Sequence, residues 1–101
     1  MSAIDEKLHL LQKVAPNDAL LDSMLDKVLG AVADQYRQKL SGYLNKLQEL
    51  ERNHGMTTDV FLQRFESGAL GDSEIWFDWE AIAALKAEAE RKLGELDRAG
   101  V

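Results

Sequence analysis

The sequence predicts an all-α protein, a helical hairpin or bundle made of one long helix, one short helix and a C-terminal helix. Three observations support this fold class. Between positions 18 and 54, apolar residues recur at steps of three and four, which is the period of an amphipathic helix. Gly55, Gly68 and Gly71 separate this segment from two further stretches of helical period. No stretch alternates apolar and polar residues as a half-buried strand does.

Composition limits the classes of partner. The chain has 101 residues, enough for one domain, and its apolar share of 46% is sufficient for a core. Eighteen acidic and twelve basic residues give a net charge of −6. Nucleic acids and anionic membranes both attract basic surfaces, so we expect neither as a partner of this chain alone. The charge favours a basic protein partner.

The sequence gives no support for a cysteine-based site, a signal peptide or a membrane span. There is no cysteine, which excludes disulfides, thiolate nucleophiles and zinc–sulfur sites. Residues 1–7 carry acids where a signal peptide has bases, and no apolar run approaches the ~20 residues of a membrane span. We therefore expect a cytoplasmic protein with no cofactor.

Pro16 divides the chain into two parts. Residues 1–16 are predicted to be either a short helix with Leu8 and Leu11 on one face or a loosely ordered segment. Proline disfavours helical geometry in the residue before it, so any such helix ends before Pro16. Residues 17–101 are predicted to form a single helical domain.

The long helix is predicted to begin after a cap at Asn17 or Asp18 and to stop at Gly55, which suits the left-handed position after a helix. At 1.5 Å per residue it would be about 55 Å long. A helix of that length must break, at Gly30 or Gly42, or fold against another long helix, or pair with a second chain. Its apolar positions are Leu21, Leu25, Val28, Val32, Tyr36, Leu40, Tyr43, Leu47 and Leu50.

The second half of this helix has heptad spacing. Ala33, Leu40 and Leu47 occupy one seam position, and Tyr36, Tyr43 and Leu50 occupy the other. The seam spans under three heptads, and alanine and tyrosine are poor zipper residues. A hairpin within one chain is therefore preferred to a dimeric coiled coil. Self-association through Tyr36, Leu40, Tyr43, Leu47 and Leu50 remains the alternative.

Two shorter helices complete the predicted fold. Thr57 or Thr58 can cap a helix that carries Phe61 and Phe65 and ends near residues 67–68. Asp72 or Ser73 then caps a last helix that runs to about residue 97. Its predicted buried stripe comprises Ile75, Trp79, Ile82, Leu85, Ala89, Leu93 and Leu96.

The start of this last helix is the strongest candidate for a functional surface. Residues 66–80 contain both tryptophans and one phenylalanine but no lysine or arginine. Aromatic side chains anchor cores and interfaces, whereas a run of acids requires water or a basic partner. The candidate partner-binding residues are Asp72, Glu74, Trp76, Phe77, Asp78, Trp79 and Glu80.

The tryptophans have two interpretations. Trp76 and Trp79 are three residues apart and share a helical face, with Phe77 turned away. In one, both indoles fill the core; in the other, at least one aromatic side chain is exposed and serves as a binding hot spot. The two are compatible if Trp79 points inward and Trp76 or Phe77 points outward.

Catalytic and metal sites are not predicted. The acids of residues 72–80 lack the spacing of a calcium loop, and capping and solvation account for them; Asp72 and Glu74 are expected in the first helical turn. His9 and His54 are far apart and have no nucleophile signature beside them. We therefore expect no enzymatic activity.

Part of the chain resembles a known family. The turn Asn53-His54-Gly55-Met56 and the loop Phe65-Glu66-Ser67-Gly68-Ala69-Leu70-Gly71-Asp72 are followed by the helix start Phe77-Asp78-Trp79-Glu80. They are similar to the Gly-Met turn, the Phe-x-x-Gly-x-Leu-Gly-Asp loop and the Phe-x-Trp helix start of a family of small acidic helical bacterial and archaeal proteins. The likeness covers residues 36–85. It departs at His54, where the family has an aromatic residue, and at Ala69, where an acid is common.

Members of that family are encoded beside a small protein regarded as a toxin and are themselves regarded as antitoxin-like. The resemblance implies that this chain neutralises a small basic toxin, one acting on RNA, by stoichiometric protein binding. The surface around residues 72–80 would cover the toxin's basic face. No DNA-binding segment is recognisable in the sequence.

Overall fold

The structure is a computed structural model that describes residues 2–100. Met1, which begins the predicted segment 1–16, and Val101, which ends the predicted segment 17–101, lie outside the described residues. Residues 2–100 form four α-helices and no strand, which confirms the all-α prediction. The helices are α1 (Ala3–Val14), α2 (Asp18–His54), α3 (Thr58–Glu66) and α4 (Glu74–Arg98).

Helix boundaries follow local capping chemistry. Asn17 caps α2 by accepting a hydrogen bond from the backbone N–H of Leu20 at 2.8 Å. Gly55 ends α2 with φ of 65°, a left-handed conformation that favours glycine. Thr57 caps α3 by accepting from the N–H of Val60 at 3.2 Å. The predicted start and stop of the long helix are therefore confirmed.

Helix α2 is continuous through Gly30 and Gly42, so it does not break. Its second half packs against α4, which runs antiparallel to it. Tyr36, early in this half, meets Lys92, late in α4, through a 3.1 Å hydrogen bond. Leu47, eleven residues later, packs in one cluster with Trp79 near the start of α4. The packing partner of the long helix is therefore another helix of the same chain.

The core lies where α2, α3 and α4 meet. Phe61 and Trp79 are fully buried, and their rings stack with centroids 4.1 Å apart and planes 2° from parallel. Leu47, at 5% exposure, completes the buried cluster. Half-buried apolar residues around it include Leu50, Met56, Leu62, Phe65, Leu70, Trp76, Ile82 and Ala83.

The predicted seam of α2 is occupied within the chain. Its six residues are all buried or half-buried, on a helix that packs against α4. Leu47 is part of the core. The seam is therefore not a free surface for a second copy. The six residues are Ala33, Tyr36, Leu40, Tyr43, Leu47 and Leu50.

Two members of the predicted α4 stripe are wrong. Ile75 is 38% exposed and Leu85 is 47% exposed. Successive residues turn by about 100°, so Leu85 lies about 60° around the helix from the half-buried Ile82. Ile75 lies in the first turn of α4.

The molecule is elongated, with principal dimensions of 60, 26 and 18 Å. Residues 3–14 form α1, which contacts α2. Within the described residues, no side chain before Ala33 is buried. Among residues 2–100, no helix is long and apolar enough to cross a membrane.

Candidate functional site

A short glycine-containing loop positions the start of α4 beside the end of α3. Gly68 and Gly71 adopt φ of 79° and 78°, values that other residues rarely take, so the chain can reverse within a few residues. Ser73 is the residue before α4, but its side chain makes no capping hydrogen bond. Glu74 is in the first turn, whereas Asp72 precedes the cap, so its predicted place in that turn is wrong.

Trp79 belongs to the core. It is fully buried, and its Nε1 donates a hydrogen bond to Thr58 Oγ1 at 3.1 Å. An indole enclosed on all sides has no surface left for another protein. Its inclusion among the partner-contacting residues is therefore corrected: Trp79 supports the candidate surface from beneath.

Trp76 is half-buried and also faces inward. Its ring lies 5.0 Å from that of His54 in an edge-to-face arrangement and 5.9 Å from that of Phe61. Both tryptophans thus share the core side of α4, as the spacing predicts. His54, in the last turn of α2, contacts both indoles and so joins the aromatic cluster.

Phe77 points outward and is 53% exposed. Its ring packs edge-to-face on Phe65 of α3, with centroids 5.2 Å apart and planes at 89°. This contact holds the ring in one orientation while leaving more than half of its surface in water. An exposed aromatic ring that is already oriented loses little entropy on binding, which makes it a suitable anchor for a partner.

Carboxylates surround Phe77. Glu74 and Asp78 are four residues apart and share its side of α4, and Glu80 lies on the adjacent flank. All are exposed, and among residues 2–100 none of the acids between 66 and 80 forms an ion pair. We define the acidic aromatic surface as Glu66, Asp72, Glu74, Phe77, Asp78 and Glu80, with Phe65 beneath Phe77.

This surface carries most of the net charge of the protein. Five acids and no bases lie in residues 66–80, so this segment has a charge of −5 in a chain of net charge −6. Unpaired acids repel one another and gain from the approach of a cation. The geometry therefore suits a basic ligand that also offers an apolar pocket for one aromatic ring.

The shifted pKa values lie elsewhere, in the second half of α4. Arg91 donates to Glu88 at 2.6 Å, and this hydrogen bond holds the pKa of Glu88 below its ordinary value. The same pairing raises the pKa of Arg91. The pKa of Lys92 is raised because its ammonium is hydrogen-bonded to Tyr36. These groups tie α4 to itself and to α2.

Sequence reasoning missed Phe65 as part of the site. Only the four-residue spacing of Phe61 and Phe65 was visible, and it indicates a helical face without showing which ring meets Phe77. The other predicted site residues are distributed as follows. Asp72, Glu74, Phe77, Asp78 and Glu80 are exposed, whereas Trp76 is half-buried and Trp79 is buried.

A shallow depression of about 480 Å³ lies beside the turn between α2 and α3. Its lining includes Glu51, but Glu51 Oε2 already accepts a hydrogen bond from the backbone N–H of Thr58 at 2.7 Å. Across residues 2–100, no group of three or more histidines or carboxylates is placed to hold a metal ion.

Comparisons with models of protein families, with curated proteins and with solved structures found no match. The resemblance to small antitoxin-like proteins therefore stays a prediction.

Proposed function

We propose that this protein is a non-enzymatic binding module that neutralises a small basic protein, in the manner of an antitoxin, through the acidic aromatic surface. The observation that supports this proposal is the position of Phe77, which is half-exposed, oriented by Phe65 and surrounded by unpaired carboxylates. The resemblance of residues 36–85 to antitoxin-like proteins points in the same direction.

Two interactions would contribute to such a contact: electrostatic attraction and burial of an aromatic ring. Uncompensated carboxylates attract a basic partner over a distance of about one Debye length and so raise the association rate. Phe77 would then enter an apolar pocket and slow dissociation. A toxin that acts on RNA needs lysines and arginines to hold phosphates, so an acidic surface would compete for the same basic face. A cytoplasmic location, where such a toxin would meet RNA, is part of the proposal.

The proposal is tested by purification of the tagged chain from its native host, with mass spectrometry of the proteins that accompany it. We expect one small basic protein in fixed ratio that is toxic when expressed alone and harmless when co-expressed with this chain. Recovery of the chain without any such protein would overturn the proposal.

Matched variants then locate the contact. Phe77→Ala should weaken binding of the recovered protein by about 30-fold or more, the loss typical of an interface hot spot. Because Phe77 is half-exposed, the far-ultraviolet circular dichroism of the variant should be unchanged. Leu44→Ala is the control, since Leu44 is 42% exposed but lies on α2. Equal binding by both variants would contradict the assigned surface.

A further inference from the structure

The end of the molecule opposite the acidic aromatic surface has helices but no core. Ten of the fourteen exposed large apolar side chains of the described residues lie in residues 2–32. We define the open face by two stripes in this region. They are Ile4, Leu8 and Leu11 on α1 and Leu20, Met24 and Val28 on α2.

The stripes have regular helical spacing. On α2 the three residues are four apart, and on α1 the steps are four and three, so each set forms one continuous side of its helix. Their exposed fractions run from 38% at Leu11 to 70% at Ile4. A helix of twelve residues such as α1 is marginal in water by itself, because most helical stability in proteins comes from packing of the apolar side.

We propose that the open face is a homodimer interface, in which the α1–α2 hairpins of two copies pack together as an antiparallel four-helix bundle. In this arrangement the apolar stripes of α1 and α2 lie on the same side of each hairpin. Two such hairpins placed face to face give the standard bundle arrangement, with the apolar side chains in the shared interior. This interface is separate from the α2 seam, which the chain's own α4 already covers.

The area of the open face is sufficient for a stable dimer. The six partly exposed large apolar side chains of the open face amount to on the order of 500 Å² of apolar surface per chain. Apolar atoms make up about 65% of a homodimer interface, so this corresponds to roughly the 800 Å² per partner that stable complexes bury. An apolar patch near the upper limit for monomers is a mark of an interaction surface.

Charge also favours a second copy as the occupant. Residues 1–30 contain five acids and three lysines, a charge of −2, against −5 for residues 66–80. In this region of α2, each acid lies two residues before a member of the apolar stripe; the acids are Asp18, Asp22 and Asp26. An offset of two residues turns about 200° around a helix, so these acids lie on the side away from the open face. A basic partner would instead favour the acidic aromatic surface.

The antiparallel arrangement separates the two acidic ends. If the two α2 helices cross near Met24, each Gly55 lies thirty-one residues away, and the acidic surfaces are about 90 Å apart at 1.5 Å per residue. Like charges at that distance are fully screened at physiological salt. Dimerisation therefore adds little repulsion and presents two partner-binding surfaces, one at each end.

The test measures the mass of the intact chain in solution by sedimentation equilibrium, at concentrations from micromolar to about 1 mM. We expect a dimer. Val28→Glu should raise the dimer dissociation constant by about 100-fold or more, because it places a charge in the bundle interior. Leu44→Glu, on the same helix but outside the open face, should leave it unchanged. A monomeric native chain, or dissociation by Leu44→Glu and not by Val28→Glu, would overturn the proposal.

A second measurement does not depend on the folding of a charged variant. The chain has no cysteine, so Met24→Cys introduces a single thiol at the expected crossing point. Under mild oxidation at low concentration it should form a disulfide-linked dimer rapidly, whereas Leu44→Cys should not. Equal rates for the two variants would place the contact elsewhere and overturn the proposal. Neither outcome depends on the antitoxin-like function.

Discussion

At one end of the molecule three helices bury Phe61 and Trp79 completely, whereas at the other end α1 and the part of α2 before Ala33 bury no described side chain. Both ends have the same secondary structure and a similar supply of apolar residues. The difference is the number of helices that meet. The packed end has α2, α3 and α4 around one cluster, and the open end has only α1 beside α2.

This comparison separates helix formation from core formation. A helix with an apolar stripe needs a surface to cover that stripe, and two helices side by side leave much of each stripe in water. At the packed end the short helix α3 closes the gap with Phe61, which stacks on Trp79. No described helix plays this part beside α1, and in our proposal a second copy does.

The largest expected effect comes from identical substitutions at the two ends of α2. Leu47 is 5% exposed and Leu20 is 44% exposed. Leu47→Ala should lower the free energy of unfolding by about 2–5 kcal/mol through lost burial and a cavity. Leu20→Ala, measured at concentrations where the chain is monomeric, should cost less than about 1 kcal/mol. Urea denaturation of both variants measures the difference.

Because the same residue is replaced in the same helix, propensity terms cancel between these variants. Similar losses of unfolding free energy would show that the open end is packed in the monomer, and the comparison between the ends would fail.

A smaller effect is expected where the packed end is joined to α3. Glu51→Ala removes the acceptor for the half-buried backbone N–H of Thr58 and should cost about 1 kcal/mol. Glu49→Ala is the control, since Glu49 is exposed on the same helix and loses the same charge. Thermal unfolding followed by circular dichroism compares the two. A larger loss for the control would contradict the capping role.

The smallest effect is expected beyond the packed end, at the Glu88–Arg91 pair on the exposed side of α4. The pKa of Glu88 lies below its ordinary value of 4.5, so its favourable contribution is present above that value and is lost as pH falls below it. Arg91→Gln should raise the pKa of Glu88 towards 4.5. Titration of the Glu88 carboxyl by NMR measures the shift.

Both groups of this pair are largely in solvent, so Arg91→Gln should leave the tryptophan fluorescence of the packed end unchanged at pH 7. A change in that emission would mean that this pair supports the packed end after all.

Much of the fold follows from local signals in the sequence. Asn17, Thr57 and Gly55 have side chains or backbone freedom that act within four residues, so the boundaries of α2 and the start of α3 are predictable. The apolar period identifies each helix for the same reason. The candidate surface is also visible as a run of acids and aromatics between positions 66 and 80.

Whether α2 breaks or packs against another helix, and which side of α4 is buried, depend instead on contacts between residues that are far apart in the sequence. Its sequence is compatible with three arrangements of the 37-residue helix: a break, packing against another helix of the chain, or pairing with a second chain. The contact with α4 selects the second arrangement. The same contact leaves Leu85 exposed, although its spacing matches that of buried neighbours. Periodicity gives the angle of a side chain around its own helix but not the direction from which another helix approaches.

The sequence by itself determined the long helix, the short helix and the C-terminal helix, the capping sites at Asn17 and Thr57, and the concentration of negative charge in one segment. Only the tertiary structure decided that Trp79 is buried, that Phe77 is exposed on Phe65, and that the first half of α2 has no third helix to cover it. The physical reason is the distance along the sequence over which each interaction acts. Caps and periods act between residues a few positions apart, whereas burial depends on residues such as Leu47, Phe61 and Trp79 that meet from three separate helices.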